Sequence, residues 1–406
     1  MRRSQWQRPT KALLRGALIA TGVLASALSL GAGSVLADEN LSLIAKIDVG
    51  GSGLGAFDIS FVDPLINLYT LSDRTNASID FVDASHNTFL GRIGGFKGVV
   101  LNPDGTANNN LSGPDGNLIA DHRYVWAGDG DSTVKVIDLT KGRIVDTIST
   151  GGKFRADEMA FDARDHIIAV ANDADTPPFI TLINTDTHKI LSKIPFDGTN
   201  GTPNAIGGIE QTQWSRKTGL FYTSVPETDP NNPALGGIAV LDPHSMSVTA
   251  VYPVENCTPA GLALGPRNQA LIGCSASFGM SPNVLTQTIV IDITNGDTVA
   301  NITQVGGSDQ VWFDPGSQHY YLAARSNEDN TGKTVPVLGT IDARTNTFDG
   351  NVLTSTTAHS VAADRFSLHV FLPIGFVPPN SPSGTDPTNP CPTKGCIAVY
   401  VLSSEQ

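Results

Sequence analysis

Four acidic residues and one histidine occupy five of seven equivalent positions, each at a fixed distance before a turn of the chain. The turns begin at Asp63, Asp121, Asp162, Ser215, Gly265, Asp314 and Asp364. Five residues before each turn lie, in order, Asp58, Gly116, Asp157, Glu210, Ala260, Asp309 and His359. Carboxylates that converge in a narrow space repel one another, so some must bind protons or share a cation. The pattern predicts an acidic ring if the fold arranges the seven segments around one axis.

The predicted metal ligands are the four acids and the histidine of this ring: Asp58, Asp157, Glu210, Asp309 and His359. Oxygen ligands in this number suit Ca²⁺, the expected ion, or Mg²⁺, whereas a histidine ligand would admit Zn²⁺ or Mn²⁺. A bound ion would polarise a carbonyl or activate water, with Glu210 and His359 as the predicted catalytic residues. That chemistry would support hydrolysis of a lactone or ester, or a lyase step.

Four more residues are predicted to contact a ligand. Glu158, Gln211 and Gln310 follow the ring at the next position, and Arg155 precedes Asp157 by two residues, where it would hold an anionic group. The alternative is a solvated channel in which the acids bond neighbouring backbone amides.

A repeat of four short strands must position these residues. Its third strand closes with Asp or Asn, at Asp83, Asp138, Asn184, Asp242, Asp292 and Asp342. The strands before these residues alternate between apolar and polar positions, as in residues 133–137, which is typical of β-structure. Four short strands in about 50 residues indicate a propeller blade.

The repeat predicts an all-β fold with seven four-stranded blades. The first strands of the blades begin near residues 56, 116, 156, 209, 259, 308 and 358. The last blade has three strands after residue 358, so we expect residues 43–49 to supply its fourth strand and close the ring, leaving no open sheet edge.

The run from Tyr124 to Asp138 resembles the repeat of YVTN-type (YncE-like) bacterial β-propellers, and residues 169–184 form a looser copy. The resemblance covers the chain after residue 37 and implies the fold. It leaves function open, because such repeats occur in binding proteins, surface proteins and lactonase-like enzymes. His359 matches the family pattern at the start of the inner strand, whereas the acids at the equivalent positions depart from it.

Residues 1–37 are predicted to be a secretory signal, and residues 38–406 the propeller. Five basic residues and no acid precede an apolar run over residues 17–36, and small residues stand before Asp38. The alternative is an uncleaved membrane anchor, since the run is close to spanning length. A cleaved signal predicts a periplasmic or secreted protein without stable membrane insertion.

Four cysteines, Cys257, Cys274, Cys391 and Cys396, are expected to form disulfides in an exported chain. Their spacings fit no zinc pattern. Without the five basic residues of the leader, 21 Lys and Arg face 39 Asp and Glu. This strongly negative charge argues against nucleic acid as a partner.

Three function classes follow from these patterns. The first is a protein that binds a small molecule at the channel mouth, with or without a divalent cation. The second is a metal-dependent, lactonase-like hydrolase or lyase that uses the acidic ring and His359. The third is a non-catalytic scaffold whose outer loops bind a protein partner.

Overall fold

The computed structural model describes residues 41–275, 287–329, 332–377 and 386–403. The predicted signal, residues 1–37, lies outside this part of the chain. Within it, no helix has the length and apolar character needed to cross a membrane.

In the described ranges, twenty-eight strands form seven antiparallel sheets of four strands each, which confirms the predicted fold class. The first strand in the chain is β1 (Leu41–Ile47). Blade one contains β2 (Ser60–Asp63), β3 (Leu68–Asp73), β4 (Ser78–Asp83) and β5 (Thr88–Gly94). Blade two contains β6 (Asn117–Ala120), β7 (Tyr124–Asp129), β8 (Thr133–Asp138) and β9 (Arg143–Ser149). Blade three contains β10 (Met159–Asp162), β11 (Ile167–Asn172), β12 (Phe179–Asn184) and β13 (Lys189–Pro195).

The next three blades repeat this order. Blade four contains β14 (Thr212–Trp214), β15 (Phe221–Val225), β16 (Leu235–Asp242) and β17 (Ser247–Glu255). Blade five contains β18 (Pro259–Leu264), β19 (Gln269–Cys274), β20 (Thr288–Asp292) and β21 (Thr298–Ile302), with a short 3-10 turn at Pro266–Asn268. Blade six contains β22 (Val311–Asp314), β23 (His319–Ala324), β24 (Val337–Asp342) and β25 (Thr347–Leu353).

Blade seven joins the two ends of the propeller. It contains β26 (Ala362–Asp364), β27 (His369–Ile374) and β28 (Cys396–Leu402), and its outermost strand is β1. In the antiparallel pair of β1 and β28, Leu41 lies opposite Leu402 and Ile47 opposite Ile397. The predicted closure of the ring is confirmed, with a strand that begins two residues earlier than expected.

Apolar side chains on both faces of the second and third strands pack one blade against the next. In one such cluster, Trp126 and Val134 of blade two meet Ile168 and Val170 of blade three. The outer strands face solvent and alternate instead, as the partly exposed β9 does. Burial on both faces explains why the second and third strands are rich in apolar residues, as β11 and β12 are.

The polar residue that ends each of six third strands accepts a hydrogen bond from the following turn. The carboxylate of Asp138 accepts from the backbone N–H of Thr140 at 2.9 Å, and that of Asp292 from Thr294 at 2.8 Å. The amide oxygen of Asn184 accepts from Thr187 at 2.9 Å. These bonds stabilise the tight turns that the repeat requires.

Both predicted disulfides are present. Cys257 and Cys274 join the start of β18 to the end of β19, with their Cα atoms 4.9 Å apart. Cys391 and Cys396, whose Cα atoms lie 5.7 Å apart, close the loop that leads into β28.

Candidate functional site

One cavity at the end of the central channel collects the whole predicted ring. Its volume is about 420 Å³. Asp58, Asp157, Glu210, Asp309 and His359 all line it. The segments that lead into the inner strands carry these residues, and the backbone N–H of each of the four acids donates to the second strand of its own blade. The backbone N–H of Asp157 donates to Ala171 at 2.7 Å, and that of Glu210 donates to Ser224 at 2.9 Å.

Arginines that the sequence patterns did not indicate also line this mouth cavity. Arg74 follows β3 and pairs with Asp58 of its own blade and with Asp115 of blade two. All three side chains are buried, with the carboxyl group of Asp115 completely so. Burial opposes ionisation of Asp58, yet Arg74 and a hydrogen bond with His359 keep the pKa of Asp58 well below its usual range.

A second arginine sits between two carboxyl groups of blade three. Arg155 donates to Asp173 from Nε at 3.1 Å and from a terminal nitrogen at 2.6 Å, and its Nε also lies 2.8 Å from a carboxylate oxygen of Asp157. Asp157 is 5% exposed, and its second oxygen has no hydrogen-bond partner. Burial raises the pKa of Asp157 to about 8, although Arg155 opposes the shift. Arg155, predicted to hold an anionic ligand, is therefore engaged by its own blade.

The third arginine pairs with the ring in blade six. Arg325 follows β23, and its terminal nitrogen lies 2.9 Å from a carboxylate oxygen of Asp309. The guanidinium is one third exposed, so it faces the opening of the cavity. Three ring aspartates thus have guanidinium partners. These guanidinium groups supply positive charge of the kind that a bound cation was predicted to bring to the acids.

Two glutamates in the cavity are not paired in this way. Glu158 is 7% exposed and Glu210 is 9% exposed. Across the described part of the chain, neither carboxyl group has an ion pair or a side-chain hydrogen bond. Burial raises the pKa of both well above the usual range, and nearby acids add to the shift. Like one oxygen of Asp157, these two carboxyl groups have no hydrogen-bond partner among the described residues.

His359 is held on two sides. Its Nδ1 donates to the carbonyl of Thr357 at 2.9 Å, and its ring stacks on Phe57 with centroids 4.5 Å apart. The other nitrogen, Nε2, lies 3.5 Å from Asp58. A histidine oriented in this way presents Nε2 toward the cavity and toward the carboxylate of Asp58.

Gln211 and Gln310 line a smaller cavity of about 130 Å³ further along the axis. The amide oxygen of Gln211 accepts from Leu262 at 2.9 Å and from Val311 at 3.1 Å. The amide of Gln310 accepts from Val361 at 3.0 Å and donates to Ser60 at 3.2 Å. Each side chain thus bridges two further blades. Their predicted contact with a ligand stays a prediction, because their amide bonds go to the fold.

The predicted metal set is spread over the cavity. Within the described residues, no three of its five members bring their ligand atoms within 4.8 Å of one another. The group that does so is His319, Asp342 and Asp349 of blade six, where His319 Nε2 lies 2.9 Å from Asp349. Binding of a metal by the ring stays a prediction.

The residues that complete the mouth share a position that sequence reasoning did not use. Arg74, Asp173 and Arg325 each follow the last residue of a second strand, at β3, β11 and β23. Second strands run antiparallel to the inner strands, so their ends meet the starts of the inner strands at the same face. Aligning the second strands by their turns would have found this set.

Comparisons with known proteins agree on the architecture. No family model matches the chain, and no curated protein matches it in sequence. Solved structures do match, among them one described as the structure of U3-55K. The similarity has a TM-score of 0.62 with 11% identity, and covers 89% of this chain and 98% of the other. At this identity the likeness shows the fold alone, and the chain is a seven-bladed β-propeller.

Proposed function

We propose that this protein is an exported β-propeller that binds a small polar ligand at the mouth of its central channel. The observation that carries the proposal is the 420 Å³ cavity, in which charged side chains from five blades converge. Binding sites for small molecules are concave, largely pre-formed, and contain a few precisely placed polar groups. The backbone bonds between neighbouring strands hold the ring residues in place before a ligand arrives.

The two disulfides support export, because such bonds persist in oxidising compartments. A periplasmic or secreted location also agrees with the predicted signal. Kinship with YVTN-type repeats belongs to the same proposal and rests on the repeat sequence.

A bulky residue at the rim tests whether the cavity is the binding site. Asn109 is exposed and lines the mouth, so Asn109→Trp should obstruct it, whereas Asn232→Trp alters an exposed loop that lines neither axial cavity. The panel would contain small amines, carboxylates, sugars and divalent cations. We expect a stabilising compound to raise the melting temperature of the wild type and of Asn232→Trp, but not of Asn109→Trp. Equal stabilisation of all three would place binding elsewhere and favour the interaction scaffold.

A second candidate is a metal-dependent hydrolase or lyase, favoured by the presence of Glu210 and His359 in one cavity. A protein of this second kind would hold one Ca²⁺ ion per chain after dialysis against Ca²⁺, in the wild type and in the exposed control Glu255→Ala but not in Glu210→Ala, which elemental analysis measures. Hydrolysis of lactones and esters should then depend on the ion and on His359. An ion content that is the same in all three proteins would rule out this role of Glu210.

A further inference from the structure

We propose that the ligand is an organic amine, and that its protonated nitrogen binds Glu158 at the floor of the mouth cavity, with Glu210 as a second contact. The inference rests on the proposed function, since it names the chemistry of the molecule bound at that site.

The charges that line the cavity are unequal. Five carboxyl groups, those of Asp58, Asp157, Glu158, Glu210 and Asp309, face three guanidinium groups. The aspartates account for all three guanidiniums through the pairs described above. In the described part of the chain the two glutamates have no positive partner, so the cavity lacks up to two positive charges that a ligand would bring.

The burial of these two glutamates gives independent support. Both residues are more than nine-tenths buried and line the cavity, and within the described residues neither carboxyl group has a hydrogen bond or an ion pair. An ionised carboxylate in such a place is costly unless a partner compensates for its lost hydration. An ammonium group supplies both the opposite charge and three hydrogen-bond donors.

Glu158 differs from its equivalents in the ring that follows the acids. Gln211 and Gln310 occupy the same position in blades four and six and use their amides to bridge blades. Glu158 makes no such bridge and lines both the mouth cavity and the smaller axial one. Its carboxyl group makes no hydrogen bond or ion pair with the residues that the structure describes, which leaves it available to a ligand that enters from the mouth.

An amine fits the cavity better than a bare divalent ion. Ca²⁺ takes six to eight oxygen ligands at about 2.3–2.6 Å. The ring does not gather three ligand atoms within 4.8 Å, and guanidinium groups stand among its acids. A volume of about 420 Å³ also leaves room for several carbon atoms beside the charged group.

Four compounds with the same carbon chain length test the charge requirement by titration calorimetry. Putrescine carries two positive charges, butylamine one, γ-aminobutyrate one of each sign, and butyrate one negative charge. We expect the affinity of the wild type to follow that order, with no binding of butyrate. Failure of both putrescine and butylamine to bind, or tighter binding of butyrate, would overturn the inference.

Glu158→Gln identifies the residue that binds the nitrogen. The substitution gives blade three the glutamine that blades four and six have at the equivalent position, so the fold should be retained. Loss of one charged hydrogen bond predicts at least about a tenfold loss of affinity for putrescine. The matched control, Glu255→Gln, changes an exposed glutamate and should bind as the wild type does. Unchanged affinity in Glu158→Gln, with affinity lost in Asn109→Trp, would refute Glu158 as the amine ligand while sustaining the mouth as the binding site. Unchanged affinity in Asn109→Trp would refute both.

Proton exchange gives a readout that a structural role of Glu158 would not change. Because burial raises the pKa of this carboxyl group, an arriving ammonium should displace its proton. Titrations in buffers of different ionisation enthalpy should therefore show proton release by the wild type and less release by Glu158→Gln. Equal release by the two proteins would contradict the assignment.

Discussion

Arg74 illustrates how single residues set the charge of the mouth. Its guanidinium touches carboxylates from two blades, and all three groups are buried. The pKa of Asp58 falls while that of Asp115 rises, because burial of Asp115 outweighs its contact with Arg74. One cation therefore cannot keep every nearby acid ionised. Protons must compensate for the remaining charges of the cavity.

The raised pKa of Asp157 predicts how the free energy of unfolding depends on pH. Its pKa is about 8 in the folded protein and 3.8 in the unfolded reference, so the folded state holds an extra proton between these values. The unfolding free energy should fall as the pH rises through this window, by at most about 1.4 kcal/mol per pH unit for one proton. The lowered pKa of Asp58 acts below this window and does not cancel the trend.

Chemical denaturation between pH 5 and pH 8 checks this expectation, with both limits inside the window that the pKa of Asp157 sets. Asp157→Asn keeps an oxygen for Arg155 and cannot ionise, so its stability should vary less with pH than that of the wild type. Asp131→Asn, at an exposed acid, is the control. If the unfolding free energy of Asp157→Asn depended on pH as steeply as that of the wild type, the raised pKa of Asp157 would be contradicted.

Inner strands are the elements on which the ring depends, and they are short. β14 and β26 contain three residues each, too few to hold their place by ladder bonds alone. Side chains bridge the blades instead, as Gln310 does between Val361 of blade seven and Ser60 of blade one. Bonds of this kind fix the axial positions of the residues next to them, including Asp309.

Gln310→Leu tests this bridging role. Leucine has a similar size but leaves the N–H of Val361 and the carbonyl of Ser60 without their partner, which should cost about 2 to 4 kcal/mol of unfolding free energy. Gln304 is exposed and accepts from the adjacent Thr303, so Gln304→Leu should cost less than about 0.5 kcal/mol. Urea denaturation of both variants measures the difference. A loss no larger in Gln310→Leu than in Gln304→Leu would show that the bridge contributes little.

At the scale of the whole molecule, closure of the ring turns seven similar blades into one site. β1 covers the edge of β28, so the last blade has the same four strands as the others. Closed packing of blade on blade then brings residues that are far apart in sequence, such as Asp58 and His359, to within 3.5 Å. The cavity is a property of the ring, because no blade alone encloses it.

The sequence by itself determined the blade count, the closing strand, the presence of disulfides and the five ring residues that line the mouth. These features depend on local patterns: period-two strands, polar residues at turns and the spacing of equivalent positions. Only the tertiary structure decided which acids have partners. Arg74, Arg155 and Arg325 lie within ion-pair distance of three aspartates, whereas the carboxyl groups of Glu158 and Glu210 have no partner among the described residues. Such pairing depends on the reach of side chains from second strands and from neighbouring blades. A repeat pattern records the position of each residue within its blade, but not the distance between two side chains after the blades have packed.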